Sequence, residues 1–234
     1  MKHYSKQTRI LTAIDCIIFG FDGREIKLLL IKRGFEPEKG KWSLMGGFVQ
    51  PDEALEQAAT RILMQLTGLS GVYMEQVHAF GDLNRDPVER TISIIYFALV
   101  DIHKYEKQIN EDYHAEWFPL KKFPRLIFDH ERMVQMAKEK LQYKAAFHPI
   151  LFELLPEKFT LPQLHSLYED IFNASLDKRN FSRKIHSAKL LIKLKEKEKE
   201  NSKKGAYYFK IDKKKYKSIF YSVFNFIPNP DTHK

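Results

Sequence analysis

Residues 46–69 read GGFVQPDEALEQAATRILMQLTGL. After the paired glycines, Pro51-Asp52 opens a stretch in which Leu55, Ala59, Ile62, Leu63 and Leu66 recur at helical spacing. Gly68 is placed to end that helix in a left-handed cap. Glu53 and Glu56 stand at its start, where the helix macrodipole favours carboxylates. Ile62 and Leu66, one turn apart, form an apolar strip. Outward on the amino-terminal side, TAIDCIIFGF (12–21) and IKLLLIKR (26–33) are apolar strand signals around the hairpin-type turn Asp22-Gly23, and KGKWSLMGGF (39–48) is a glycine-punctuated loop and strand. On the other side, MEQVHAFG (74–81) and TISIIYFALVDI (91–102) read as strands bracketing the loop DLNRDPVER (82–90). AEWFPL (115–120) is a further short strand and DHERMVQMAKEKLQYKA (129–145) a helix.

The chain has 234 residues, which suits two domains of ordinary size. Its one cysteine, Cys16, excludes an internal disulfide framework and reads as a small buried side chain. The first residues lack a signal-peptide apolar core, and no run reaches the ~18 apolar residues that a membrane span needs. A cytoplasmic protein is expected. Its charge is divided unevenly: residues 1–143 balance 20 Lys+Arg with 20 Asp+Glu, whereas residues 144–234 carry 19 against 10. The whole net charge of +9 is therefore carboxy-terminal. A neutral domain at 1–145 and a basic one at 146–234, built to meet a polyanion, follow from that division.

The basic half reads as three helices, HPILFELLPEKF (148–159), TLPQLHSLYEDIFN (160–173) and DKRNFSRKIHSAKLL (177–191). A basic hairpin comes next, LIKLKEKEKE and AYYFKID around the turn NSKKG, and then KKYKSIFYSVF, a last strand or short helix. Three helices and a basic hairpin are the element order of a winged helix-turn-helix. In the third helix Phe181, Ile185, Ala188 and Ile192 repeat as a buried face, with Asp177 as N-cap. Arg179, Arg183, His186 and Ser187 lie opposite, two arginines a turn apart that suit guanine edges in a major groove. Lys178, Asn180, Ser182 and Lys184 flank them for phosphates or base edges, and Lys203 and Lys204 at the hairpin tip suit the adjacent minor groove or backbone. Charge alone is equally satisfied by a lysine-rich domain that grips an acidic protein; element order and helix face favour duplex DNA. RNA is disfavoured because no aromatic stacking platform is evident.

Residues 9 to about 140 resemble a Nudix domain. The box of that family has a glycine, a glutamate six residues on, an Arg-Glu pair, two adjacent glutamates and a final glycine before an apolar residue. Gly47, Glu53, Arg61, Leu63, Gly68 and Leu69 match it. Ile62 stands where the glutamate after the arginine belongs, and Gln65 and Leu66 replace the pair. Diphosphate hydrolysis relies on Mg²⁺, a hard cation that needs oxygen ligands in near-octahedral array, and Ile62 and Leu66 offer none. The resemblance implies an α+β chain: a Nudix-like α/β/α sandwich with a mixed sheet, then a winged helix. We expect no catalytic residue, no metal and no cofactor. The family's pocket is expected to survive as a binding site. Its walls are Lys32 and Arg33, the Trp42–Gly47 segment with Gly46 and Gly47, and Asp82, Asn84, Arg85 and Asp86 in the loop 81–90. Trp42 is equally well read as a ring that stacks on a sugar or as core, and the loop as an Asx-rich turn held by its own side chains.

Over nearly its full length the chain resembles the Nudix-related transcriptional regulators. KWSLMGGFV, EQVHAFGDLNRDP, YFALV and LDKRNFSRKI carry the likeness, and Met45 departs from it where a proline usually precedes Gly-Gly. That family implies a homodimeric repressor responsive to a small ligand, with double-stranded operator DNA as partner. The stretches are most like the arabinose-responsive regulators of Bacteroides, which makes a sugar, L-arabinose, the expected effector. ADP-ribose sensing in NAD metabolism and a divergent Nudix pyrophosphohydrolase are the alternatives.

Overall fold

A computed structural model describes residues 6–105, 114–199 and 205–219. Strand β1 (Leu11–Phe21) is eleven residues long and carries the sheet. Asp22 accepts from the amides of Arg24 and Glu25 at 2.9 Å each, and Gly23 supplies φ +90°, so the chain reverses into β2 (Ile26–Lys32). β3 (Trp42–Ser43) and β4 (Met45–Phe48) precede helix α1 (Leu55–Thr67). β5 (Tyr73–Phe80), β6 (Thr91–Asp101), a single turn α2 (Ile102–Tyr105), β7 (Glu116–Pro119) and the long helix α3 (His130–Phe147) complete the first domain.

The seven strands form one mixed sheet in the order β3-β2-β1-β6-β5, with β4 on the first half of β1 and β7 on β2. β1 and β6 are parallel over eleven residue pairs, from Leu11↔Thr91 to Phe21↔Asp101; the remaining pairings are antiparallel. Alternation along β1 assigns its faces. Ile14, Cys16 and Ile18 pack with Ala58, Ala59, Ile62 and Leu63 of α1. Ile17, Phe19 and Phe21 pack with Met133, Val134, Ala137 and Leu141 of α3. This is the expected α/β/α sandwich. α1 ends as its sequence predicts: Gly68 has φ +75° and its amide reaches the carbonyl of Met64 at 2.8 Å.

The second domain begins with a 3-10 turn, Ile150–Leu154, then β8 (Phe159–Thr160), α4 (Leu161–Phe172), α5 (Lys178–Ser187), β9 (Leu191–Glu198), β10 (Ala206–Ile211) and α6 (Lys213–Ile219). The strands form an antiparallel sheet, β8-β10-β9. Two expectations are corrected. The stretch 148–159 is a five-residue turn and a strand, not a full helix, because Pro149 and Pro156 bracket it and Leu155, preceding a proline, is disfavoured in the α region. The third helix stops at Ser187, so Ile192 belongs to β9 and is 40% exposed, leaving Phe181 and Ile185 as the buried face. α3 runs on to Phe147, across the border expected at 145/146. KKYKSIFYSVF forms a helix as far as Ile219, and its remainder lies outside the described residues.

The two domains share a core. Leu151, Phe152 and Leu154 join Phe19, Leu99 and the α4 side chains Leu164, Leu167 and Tyr168 in one apolar cluster. Asp170 of α4 clasps the turn between β1 and β2, accepting from the Ile26 amide at 2.6 Å and from Lys121 at 2.5 Å, while Ser166 donates to the carbonyl of Arg24 at 3.3 Å.

Candidate effector and nucleic-acid sites

Asp15 is a lone acid in the apolar strand β1 and is 6% exposed. A buried carboxylate needs partners. Its Oδ2 accepts from Ser93 Oγ at 2.5 Å and lies 3.8 Å from the guanidinium of Arg85. Arg85 in turn makes a two-pronged pair with Asp129, at 2.9 and 3.0 Å, which ties the loop 81–90 to the start of α3. His130 accepts from the Leu44 amide at Nδ1 (3.2 Å), so its neutral ring carries the proton on Nε2, 3.8 Å from Asp15 Oδ1. Burial holds this imidazole below the usual histidine range, against the pull of Asp15 and Asp129, so it is neutral at pH 7. Gly46 closes over the group: a Cβ there would lie 2.5 Å from Asp15 Oδ1.

Arg33 faces this group from the end of β2. Burial lowers its guanidinium and Asp86, Asp15, Glu36 and Glu38 oppose that shift, which places a cation among carboxylates. The structure thus brings Arg33, Gly46 and Arg85 together with Asp15 and Asp86. The other expected wall residues lie apart. Lys32 sits over the ring of Trp42 at 5.2 Å, and Trp42 is half-buried, edge-on to Phe118 at 4.9 Å, so it serves packing rather than presenting a free face. Gly47 turns to the opposite side of β4, where a Cβ would meet Ile62 at 3.0 Å. Asp82 is held by Arg132 at 2.6 Å, and Asn84 is exposed at the loop. Arg90 donates to the carbonyls of Gly81 and Asp82 at 2.8 and 3.1 Å, pinning the loop's two ends together.

The box positions are occupied by packing. Ile62 is 2% exposed and fills the space beneath Gly47, Leu66 is half-buried against the same cluster, and Gln65 is exposed and accepts from Arg61 at 3.2 Å. Glu53 accepts from Arg61 through both oxygens, at 2.5 and 2.9 Å, and from the Gln50 amide at 2.8 Å. The Arg61 bond holds its carboxyl down at about 2. Arg61 also donates to the carbonyl of Phe48 at 3.0 Å. Glu53 is thus a strut between the loop and α1. Among the described residues no group of three His, Cys, Asp or Glu is disposed around a metal ion.

On the second domain, α5 is capped by Asp177, whose carboxylate accepts from the Asn180 amide at 2.8 Å. Phe181 and Ile185 seat it on α4, with Phe181 edge-on to His165 at 5.0 Å and to Tyr168 at 5.3 Å. Lys178, Arg179, Asn180, Arg183, His186 and Ser187 are exposed, and Ser182 and Lys184 are half-buried. Arg183 is steadied by Asn180 Oδ1 at 2.9 Å, and the His186 ring lies 5.7 Å from that of Phe209 in β10. Lys193 and Lys197 stand over the Tyr207 ring at 3.7 and 4.5 Å, giving the hairpin a cationic face. Lys203 and Lys204 lie outside the described residues. His165 went unread in the sequence: it bonds the carbonyl of Leu176 at 2.8 Å and fixes the turn that delivers α5.

The model of the NUDIX domain matches residues 10–137, and that of the NrtR DNA-binding winged helix domain matches residues 151–211. An ADPR responsive transcriptional repressor, NtrR, of Acinetobacter baylyi is 36% identical over 179 residues, 75% of this chain and 72% of its own. The chain belongs to the NrtR family. The NrtR of Shewanella oneidensis, crystallised with a 27mer DNA, has the same architecture, with a TM-score of 0.78 at 29% identity over 88% of this chain and 95% of that one. The NUDIX domain of the same Shewanella NrtR, in complex with ADP ribose, matches 60% of this chain and 94% of its own at 30% identity and a TM-score of 0.52.

Proposed function

We propose that this NrtR-family chain is a homodimeric transcriptional repressor whose Nudix-like domain binds ADP-ribose without hydrolysing it and thereby changes the affinity of α5 and the hairpin for operator DNA. The observation that carries the reading is Ile62. A buried aliphatic side chain presses on Gly47 where a hydrolase of this fold needs a carboxylate, so no Mg²⁺ is held against a bound diphosphate there. What is left is a recognition site with a cation, Arg33, a buried carboxylate, Asp15, and a neutral histidine.

Of the two effectors that the family resemblance implied, the expectation of L-arabinose gives way to its alternative. The Acinetobacter relative is named for its response to ADPR, and a Shewanella NUDIX domain of like fold is known in complex with ADP ribose. Physically, a neutral pentose offers no anion to Arg33, whereas ADP-ribose brings a diphosphate that a guanidinium holds through paired bonds.

The test is isothermal titration of the full chain with ADP-ribose and with L-arabinose in EDTA, followed by an assay for AMP and ribose 5-phosphate after Mg²⁺ is added. Binding of ADP-ribose without turnover is expected. Binding of arabinose alone, or metal-dependent release of AMP, would contradict it.

A further inference from the structure

Between the two domains lies a cavity of about 1360 Å³. Asp101 lines it from the end of β6, six residues beyond Ile95, the strand partner of Asp15; at about 3.3 Å per residue, that is roughly 20 Å along the strand. Val72, Leu99 and Tyr105 of the first domain and Phe152, Leu155 and Ile192 of the second supply its apolar lining. Ile192, 40% exposed, is the cross-strand partner of Lys210, and both point away from the face on which Phe209 meets His186 of α5. α6 adds Lys213 and Lys217, one turn apart, to the rim. Tyr216 between them anchors the helix there, donating to Glu153 at 2.7 Å and lying edge-on to Phe152 at 6.4 Å.

Most of the cavity's other charges have partners. Asp101 accepts from the His103 amide at 3.2 Å, Glu153 from Tyr216, and Asp212 from the Lys215 amide at 3.2 Å with that residue's ammonium 3.6 Å away. Lys104 donates to the Tyr105 hydroxyl at 3.0 Å, and Glu157 is exposed. Among the described residues, Lys210, Lys213 and Lys217 have no acidic group within ion-pair reach. Lining the side of the hairpin away from α5, they are not placed for the duplex that α5 would read. Cations at the rim of an apolar space match an amphipathic anion, whose chain leaves water against the lining while its head meets the ammonium groups.

We infer that this interdomain cavity is a second ligand site, for an aliphatic chain that carries an anionic head, a carboxylate or a phosphate. Because both domains line it, such a ligand holds them together. The site does not rest on the effector proposed above.

Calorimetric titration of the full chain in EDTA, without ADP-ribose, tests this. The probes are dodecanoate, dodecyl phosphate and octanoate below their micelle concentrations, with inorganic phosphate and dodecyltrimethylammonium beside them. One chain anion is expected to bind per protein, dodecanoate more tightly than octanoate, and to raise the melting temperature. The tighter of dodecanoate and dodecyl phosphate identifies the head, and inorganic phosphate gives no heat. Lys213→Ala combined with Lys217→Ala is expected to weaken dodecanoate about five- to tenfold. Ile192→Asp weakens it with every lysine kept, and melting without ligand shows that both variants fold. No binding, equal binding of dodecyltrimethylammonium, or an affinity indifferent to both substitutions overturns the site. So does binding that appears only after residues 220–234 are removed, because the chain's own terminus is then the occupant.

Discussion

At the scale of single residues, Ile62 and Asp15 divide the domain's two chemistries. Ile62 is buried core beneath Gly47, so Ile62→Glu would bury an acid among Ile14, Cys16 and Leu63. The expected outcome is a loss of several kcal/mol in a denaturant melt with no gain of Mg²⁺-dependent turnover. Glu53 makes the opposite case, a retained box residue serving structure. Its carboxyl is held at about 2, below the free value, so the Arg61 strut stabilises the protein above the unfolded pKa and is lost as pH falls through about 2. Glu53→Gln should therefore melt at a lower temperature than the natural protein at pH 7, with the difference shrinking as pH falls below about 4.5, followed by calorimetry across a pH series. A methyl at position 46 would strike Asp15 Oδ1, so Gly46→Ala should cost about 1–3 kcal/mol of stability and weaken effector binding, read by melting and titration together. Asp15 was legible in principle: one acid inside TAIDCIIFGF contradicts its neighbours' burial. Its partners Ser93, Arg85 and His130 come from a distant strand, a loop and a helix start, and no local spacing announces them.

At the scale of elements, α5 carries the DNA reading. Arg183 and Arg179 are exposed above the Phe181 and Ile185 seat. Arg183→Ala should cost about 1–3 kcal/mol of operator affinity and relax sequence preference, whereas Lys193→Ala should mainly flatten the dependence of binding on salt, both read by anisotropy of a labelled duplex. The helix's start could be read from Asp177 because an N-cap is a local bond between a side chain and a nearby amide. Its end could not, because the apolar spacing continued to Ile192 while the chain had already turned at Ala188 and Lys189 (φ +53°) into β9. The start of α4 was equally available: Thr160 and Gln163 bond reciprocally around the helix entry, with Pro162 in the first turn. For 148–159 the apolar content was read as a helix, but apolar content does not distinguish a helix from a 3-10 turn and strand between two prolines.

At the scale of the molecule, the two domains share one core rather than hanging from a linker. A series of contacts links the domains: Arg85 grips Asp129 at the head of α3, and Gln142 near its other end donates to the Ile171 carbonyl of α4 at 2.7 Å. Asp170 fastens the same helix to the turn between β1 and β2. Asp170→Ala should cost about 1–3 kcal/mol of stability and reduce the factor by which ADP-ribose changes operator affinity, because the domains then respond less as a unit. This junction left no trace in the sequence, since it depends on which surfaces meet; the uneven charge foretold only that the second domain faces a polyanion. In the function proposed, the front domain recognises and the rear domain acts. Anisotropy of a labelled operator duplex, titrated with the full chain in EDTA with and without saturating ADP-ribose, is the decisive measurement. A reversible shift of the binding midpoint, on the order of tenfold and unchanged when Mg²⁺ replaces EDTA, is the predicted result; a midpoint indifferent to ADP-ribose, or one that moves only with Mg²⁺ as AMP accumulates, would contradict it.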